Sequence, residues 1–212
     1  MQKYENLNQA FIAGKWRDGS AGDRRHNINP WTEEVICEVV SCSADDVDEA
    51  YRAAEKAQPA WEGTSPAEKQ QVIGKAAQIM QQRKEEIVEW LVKESGSTQM
   101  KAALEWQNAY GITMEAASFP SRMHGYLFNS NIPGKENRLY RRPLGVIGVI
   151  SPWNFPLHLT QRSLAAALAT GNAVVLKPAS DTMVTGGTLL AKIFGEAGLP
   201  EGLLSVVVGK SS

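Results

Sequence analysis

The chain has 212 residues, 43% hydrophobic and 21% charged, which is enough apolar surface for a sizeable core in one large domain or two small ones. Its 22 basic and 23 acidic side chains leave a formal net charge of -1, giving no electrostatic basis for nucleic-acid or membrane-surface binding. Cys37 and Cys42 are too few for a disulfide framework and lack the neighbouring partners a metal site needs, so both read as inert thiols.

The stretch from Tyr4 to Gln9 is polar, and nothing near Met1 resembles a signal peptide. No window approaches the roughly 18 to 20 apolar residues of a membrane-crossing helix, so a soluble, cytoplasmic protein is expected. Phe11 to Arg17 predicts a short strand and turn. Glu34 to Val40, with alternating apolar positions, predicts a second strand, a hairpin-like start. Ser43 with Asp46 three residues on predicts a capped helix through Val47, Ala50, Ala54 and Ala57, broken at Pro59.

Ser65-Pro66-Ala67-Glu68 combines an N-cap, a proline at the first helical position and a carboxylate three residues after the cap. One long helix is predicted from there to Ser95-Gly96, and another from Ala102 to about Ala117. Glu85 and Glu86 are adjacent and do not face each other on a helix, so they read as a solvated face rather than a catalytic pair. From Gly125 to Arg142 the sequence turns irregular, and His26 and His124 read as surface residues.

Composition shifts at Pro143: only seven charged residues lie between there and Ser212. Such a drop predicts a sheet covered on both faces. Gly145 to Ile150 reads as a buried parallel strand, stopped by Ser151-Pro152-Trp153-Asn154-Phe155-Pro156, where two prolines fix the backbone. A Leu/Ala-rich helix follows from Leu157 to Thr170, and Gly171-Asn172 ends it. Ala173 to Leu176 is a second strand, closed by Lys177-Pro178-Ala179-Ser180, which completes a βαβ unit. A helix through Leu189, Leu190, Ile193 and Phe194 leads to a third parallel strand, Leu203 to Val208, left unpaired at the break and so poorly stable alone.

Ligands of open parallel sheets collect beyond the carboxyl ends of the strands. Those ends carry Trp153 and Asn154 on one side and Lys177 and Ser180 on the next, a pairing of amide donor and cation that suits an anionic cofactor beside a carbonyl substrate. No G-x-G-x-x-G occurs, so the usual dinucleotide fingerprint is missing.

Three separated runs, P-W-N-F-P, A-L-A-T-G-N-A-V-V-L-K-P-A-S and E-A-G-L-P-E-G-L-L-S-V-V-V-G, resemble the cofactor-domain core of the NAD(P)-dependent aldehyde dehydrogenase superfamily. The resemblance extends over nearly the whole chain. It implies an α/β fold in which residues 1–124 form the N-terminal helical part of the cofactor domain. Residues 125–142 would be an extended hairpin that helps build a dimer or tetramer, and residues 143–212 an incomplete Rossmann-like core.

The family's chemistry is attack of a cysteine thiolate on an aldehyde, hydride transfer to nicotinamide, and hydrolysis of the thioester by a glutamate-activated water. Asn154 matches the amide whose N–H binds the developing oxyanion; the plainer reading is an Asn capping the helix after Pro156. Ile150, Ser151, Pro152 and Trp153 match a wall of the cofactor site, with Trp153 equally readable as a core aromatic. Lys177 matches the lysine that holds the adenosine ribose, and Ala179, Ser180, Gly209 and Lys210 belong to the same cofactor set. His158, Leu159 and Arg162 match the flank of the aldehyde tunnel, and P-L-H-L-T-Q-R-S resembles the benzaldehyde or vanillin branch.

Ser180 departs from the glutamate of many NAD-preferring members, whose carboxylate repels a 2′-phosphate by roughly 1 to 4 kcal/mol at about 4 Å. Both NAD and NADP are therefore expected as cofactors, with a small aldehyde as substrate and no metal. The family's nucleophile and glutamate base match nothing here. The expectation is an inactive portion of a longer enzyme, the alternative a non-catalytic remnant that only binds cofactor or oligomerises.

Overall fold

The computed structural model describes residues 2–209. The chain opens with a tight hairpin of β1 (Ala10–Ile12) and β2 (Lys15–Arg17), turned by Ala13 and Gly14, both at positive φ. Turns with two positive φ angles match the twist of the strands they join. β3 (Arg24–Ile28) and β4 (Val35–Val40) pair as a second hairpin. The sequence pattern indicated β4 but not β3, whose Arg-Arg-His-Asn run offers no apolar alternation.

Helix α1 (Ala44–Gly63) begins at the predicted capping box of Ser43 and Asp46 but does not break at Pro59. It continues one further turn, and Trp61 in that turn is buried, its Nε1 donating to the Leu168 carbonyl at 2.8 Å. The long helix expected after Ser65 is two: α2 (Pro66–Gln82) and α3 (Lys84–Ser95), interrupted at Arg83. Arg83 is buried and pairs with Glu86 at 2.8 Å, while Glu86 also accepts the Tyr4 N–H at 2.9 Å. Glu86 is thus not part of a solvated face but anchors the N-terminal segment. Helix α4 (Gln99–Ala116) starts three residues before the predicted Ala102, capped by the Thr98 side chain on the Lys101 N–H.

β5 (Tyr126–Asn129) and β6 (Glu136–Leu139) form a separate antiparallel hairpin whose residues are all exposed. The remainder is the predicted βαβαβ run: β7 (Val146–Ile150), α5 (Pro156–Ala169), β8 (Ala173–Lys177), α6 (Leu189–Glu196) and β9 (Leu204–Val206). These strands are mutually parallel, and the five-stranded sheet has the order β2-β1-β9-β8-β7.

The order corrects two expectations. β9 is not left unpaired, because β1 lies antiparallel beside it with Phe11 opposite Val206. β7 is not buried on both faces: it is the sheet edge, and Ile150 is 82% exposed. The residues of β8 from Ala173 to Leu176 are all buried, as a central strand covered on both faces must be. Tyr51 of α1 lies over Gly148 on one face, while α5 packs against β7 and β8 and, on its outer side, against α4.

Candidate functional site

Parallel pairing sets Ile150 of β7 beside Lys177 of β8, and Leu176 beside Val206 of β9, so the carboxyl ends of all three strands share one edge of the sheet. The loops leaving that edge carry Ser151–Asn154, Lys177–Ser180 and Gly209. Lys210 lies outside the described residues.

The first loop is tied down at both ends. The Ser151 N–H donates to the Lys177 carbonyl at 3.1 Å, and Pro156 opens α5. A helix start leaves orphan N–H groups, and Phe155, at the N-cap, offers no side-chain cap. Asn154 does not take that role. Glu105 of α4 does: its Oε1 accepts the N–H groups of Leu157 at 2.9 Å and His158 at 3.3 Å. Glu105 is completely buried, and burial raises its pKa against the pull of those hydrogen bonds and of Lys101, 3.3 Å from its Oε2. Lys101 also stands 4.3 Å from the centroid of the Phe155 ring. The amide of Asn154 and the indole of Trp153, 65% exposed, project from this clamped corner into the open. Trp153 is therefore no core aromatic.

On the first turns of α5, His158 and Leu159 are half-buried and Arg162 exposed. Burial, then the Arg162 charge, pushes the His158 pKa down.

At the second strand end Lys177 is half-buried, and its pKa falls because of that burial and of the positive charge of Arg25 on β3. Lys177 lines a pocket of about 350 Å³ with Asp23, Ser41, Cys42, Val208 and Gly209. Arg25, Asn27, Ser180 and Met183 line a separate narrow recess of only about 10 Å³, bounded in part by the same Ser41 and Gly209. A buried Nη1 of Arg25 has no hydrogen-bond partner among the described residues, and neither has the Ser151 hydroxyl.

Beyond Ser180 the chain makes a π-helical turn, Val184–Thr188, packed tightly on the sheet end: a Cβ at Gly187 would sit 2.7 Å from Pro178 Cγ and 3.0 Å from Val206 Cγ1. Glu94, fully buried at the end of α3, accepts the N–H groups of Val184 and Thr185 at 2.8 and 2.7 Å and the Asn27 amide at 2.5 Å. It thereby fixes the β3–β4 hairpin against the turn that follows Ser180. Burial raises its pKa despite those bonds.

Cys37 and Cys42 both have pKa values raised to about 11, foremost by burial, which leaves them protonated and poorly nucleophilic at neutral pH. Among the described residues no three His, Cys, Asp or Glu side chains cluster to hold a metal ion, and no helix is long and apolar enough to cross a membrane.

Arg25, Glu94 and Glu105 were not singled out from the sequence. The glutamates had a signal: Glu94 continues the buried phase of Ile87 and Leu91, and Glu105 that of Ala102 and Ala109, and a carboxylate on a buried stripe needs partners. Arg25 had none, lying on a strand the pattern did not reveal.

Three parallel strands that end on one edge, with loops carrying an amide and a lysine beyond it, form the kind of crevice in which open α/β sheets bind ligands. Residues 16–212 match the aldehyde dehydrogenase family, and the chain belongs to it. It is 56% identical to a vanillin dehydrogenase of Corynebacterium glutamicum over 95% of its length and 42% of that protein's. It is 50% identical to a benzaldehyde dehydrogenase of Bacillus subtilis, over 98% of this chain and 43% of that one. The crystal structure of an NAD-dependent benzaldehyde dehydrogenase from C. glutamicum superposes with a TM-score of 0.95 at 55% identity, covering 97% of this chain and 45% of that one. The chain thus spans less than half the length of these relatives.

Proposed function

We propose that this chain is the N-terminal portion of an NAD(P)-dependent dehydrogenase that oxidises an aromatic aldehyde to the acid. The observation that carries the reading is the clamped corner, which holds the exposed Asn154 in the loop leaving β7, whose last residue Ile150 lies opposite Lys177. Its N–H donates to the aldehyde oxygen as that atom gains negative charge on nucleophilic addition. An amide serves here because it donates without titrating, and fixed placement means little reorganisation during the reaction.

The donor set of the edge fits a nicotinamide dinucleotide: Lys177 and Ser180 would hold its adenosine ribose, and Ile150, Ser151, Pro152, Trp153, Ala179 and Gly209 would line the rest of the site. Bound there, such a cofactor supplies the two-electron acceptor that the oxidation requires. His158, Leu159 and Arg162 flank the aldehyde's path. The exposed β5–β6 hairpin, within residues 125–142, joins subunits of a homo-oligomer, and the protein acts in the cytoplasm.

The nucleophile and general base belong to the part of the enzyme beyond these residues. Neither cysteine here has thiolate character, so the 212 residues alone bind cofactor without turnover. The test is NADH or NADPH formation from benzaldehyde and vanillin, measured for the chain alone and for a chimera carrying the remaining portion of the C. glutamicum vanillin dehydrogenase. Activity in the chimera only is the expected result. Activity in neither, with a folded chimera, favours the reading as a cofactor-binding or oligomerisation module.

A further inference from the structure

We propose that Glu105 of α4 is a positioning residue for the reaction: from outside the crevice it sets the place of the Asn154 amide, and turnover depends on it through Asn154. The inference rests on the role given to Asn154 above and deepens it.

The Asn154 side chain is exposed and makes no hydrogen bond among the described residues, so its position is inherited from the backbone. That backbone is held on either side. Upstream, the Ser151 N–H donates to the Lys177 carbonyl at 3.1 Å; downstream, the N–H groups of Leu157 and His158 donate to Glu105 Oε1 at 2.9 and 3.3 Å. Between these two points Pro152 and Pro156 each have a fixed φ, which leaves the corner few torsions by which to drift while both attachments hold.

The usual cap is a Ser, Thr, Asp or Asn at the first position of the helix, and it fixes only the helix it belongs to. Phe155 stands in that position here, and the acceptor comes from a residue 52 positions earlier on another helix. A carboxylate taken wholly out of water is a costly acceptor, and this one is kept with a single ion partner, Lys101, 3.3 Å from its Oε2. Lys101 donates in turn to the Ser97 hydroxyl at 2.8 Å and stands 4.3 Å from the centroid of the Phe155 ring. Lys101 and Glu105 therefore grip residues 155, 157 and 158 together and tie the corner to α4, not to α5 alone. Such registry matters for rate, because moving a reacting group by about 1 Å is enough to cost on the order of 10²-fold.

The test is a double-mutant cycle in the chimera, with Glu105→Ala, Asn154→Ala and both together, read as kcat for benzaldehyde at a temperature where melting curves show each variant folded. Glu105→Ala should lower kcat by about ten- to a hundredfold with the NADH affinity unmoved, and Glu105→Gln, which keeps an oxygen acceptor, should recover most of it. In the Asn154→Ala background Glu105→Ala should have no further effect, since the amide it positions is gone. If Glu105→Ala does not fold, Lys101→Met takes its place in the cycle, with a several-fold fall expected and the same lack of effect without Asn154. A folded Glu105→Ala or Lys101→Met variant with wild-type kcat, no recovery in Glu105→Gln, or losses that multiply in the double variant overturns the proposal and leaves the Asn154 reading standing. Wild-type kcat in Asn154→Ala overturns both.

Discussion

Glu105 of α4 supplies the cap that α5 lacks: its Oε1 lies 2.9 Å from the backbone nitrogen of Leu157, 52 residues further along the chain. The bond couples the helical layer to the corner that carries Asn154. Replacing Glu105 by alanine strands two buried N–H groups and removes the partner of Lys101, at a cost of about 2 to 4 kcal/mol. Glu105→Gln keeps an oxygen acceptor without a buried charge and should cost much less. Urea unfolding midpoints of the two variants check the difference, and an alanine variant as stable as the wild type would show that the cap is dispensable.

Asp46 gives a prediction with a definite pH sense. Burial alone would raise its pKa, but the N–H groups of Ser20 and Ser43, the Arg17 guanidinium and the Ser20 hydroxyl together hold it well below the usual value of 3.8. A carboxylate with a depressed folded pKa contributes stability that is complete above its unfolded pKa and disappears as pH falls through the folded one. The chain should therefore lose stability below about pH 4. Asp46→Asn should be destabilised by about 2 to 3 kcal/mol at neutral pH, with a flatter acid limb, since its cluster bonds no longer meet a charge. Thermal melts between pH 3 and 7 measure both effects.

Helices α1 and α2 show what was legible in the sequence. Capping boxes at Ser43 and Ser65 located two helix starts correctly because the signal is local, three residues long and built from side chains that satisfy backbone donors. Pro59 misled because its cost is also local, while the gain of burying Trp61 against the Leu168 carbonyl depends on a contact 107 residues away. The βαβαβ core was readable from apolar runs. That β7 would be an edge and β1 would close the far side of β9 was not, since strand order follows from pairing partners and not from pattern. At the candidate site, Asn154 and Lys177 stood out as polar residues ending apolar strands, whereas Arg25 is brought near the edge by long-range bonds of its hairpin, Asn27 to Glu94 and the Cys42 N–H to the Val208 carbonyl.

Asn154→Ala in the chimera tests the role proposed for the corner. The side chain is exposed and caps nothing, so its removal should leave the melting temperature of the 212-residue chain within about 1 °C. Loss of one oxyanion donor lowers turnover by roughly 10²- to 10³-fold. Cofactor affinity, followed by titration with NADH, should not move. A variant that keeps its turnover removes Asn154 from the chemistry.

Ser180→Glu probes the electrostatics of the strand end that carries Lys177. A carboxylate at 180, two residues beyond the Lys177–Pro178 step, would accept hydrogen bonds from the ribose hydroxyls. For NADP the same carboxylate repels the 2′-phosphate, by roughly 1 to 4 kcal/mol at about 4 Å depending on the local dielectric. The ratio of NADP to NAD affinity should then fall by about five- to several-hundred-fold, with the 5′-AMP affinity of the chain unchanged or improved. An unaltered ratio would mean that the 2′-position does not face residue 180.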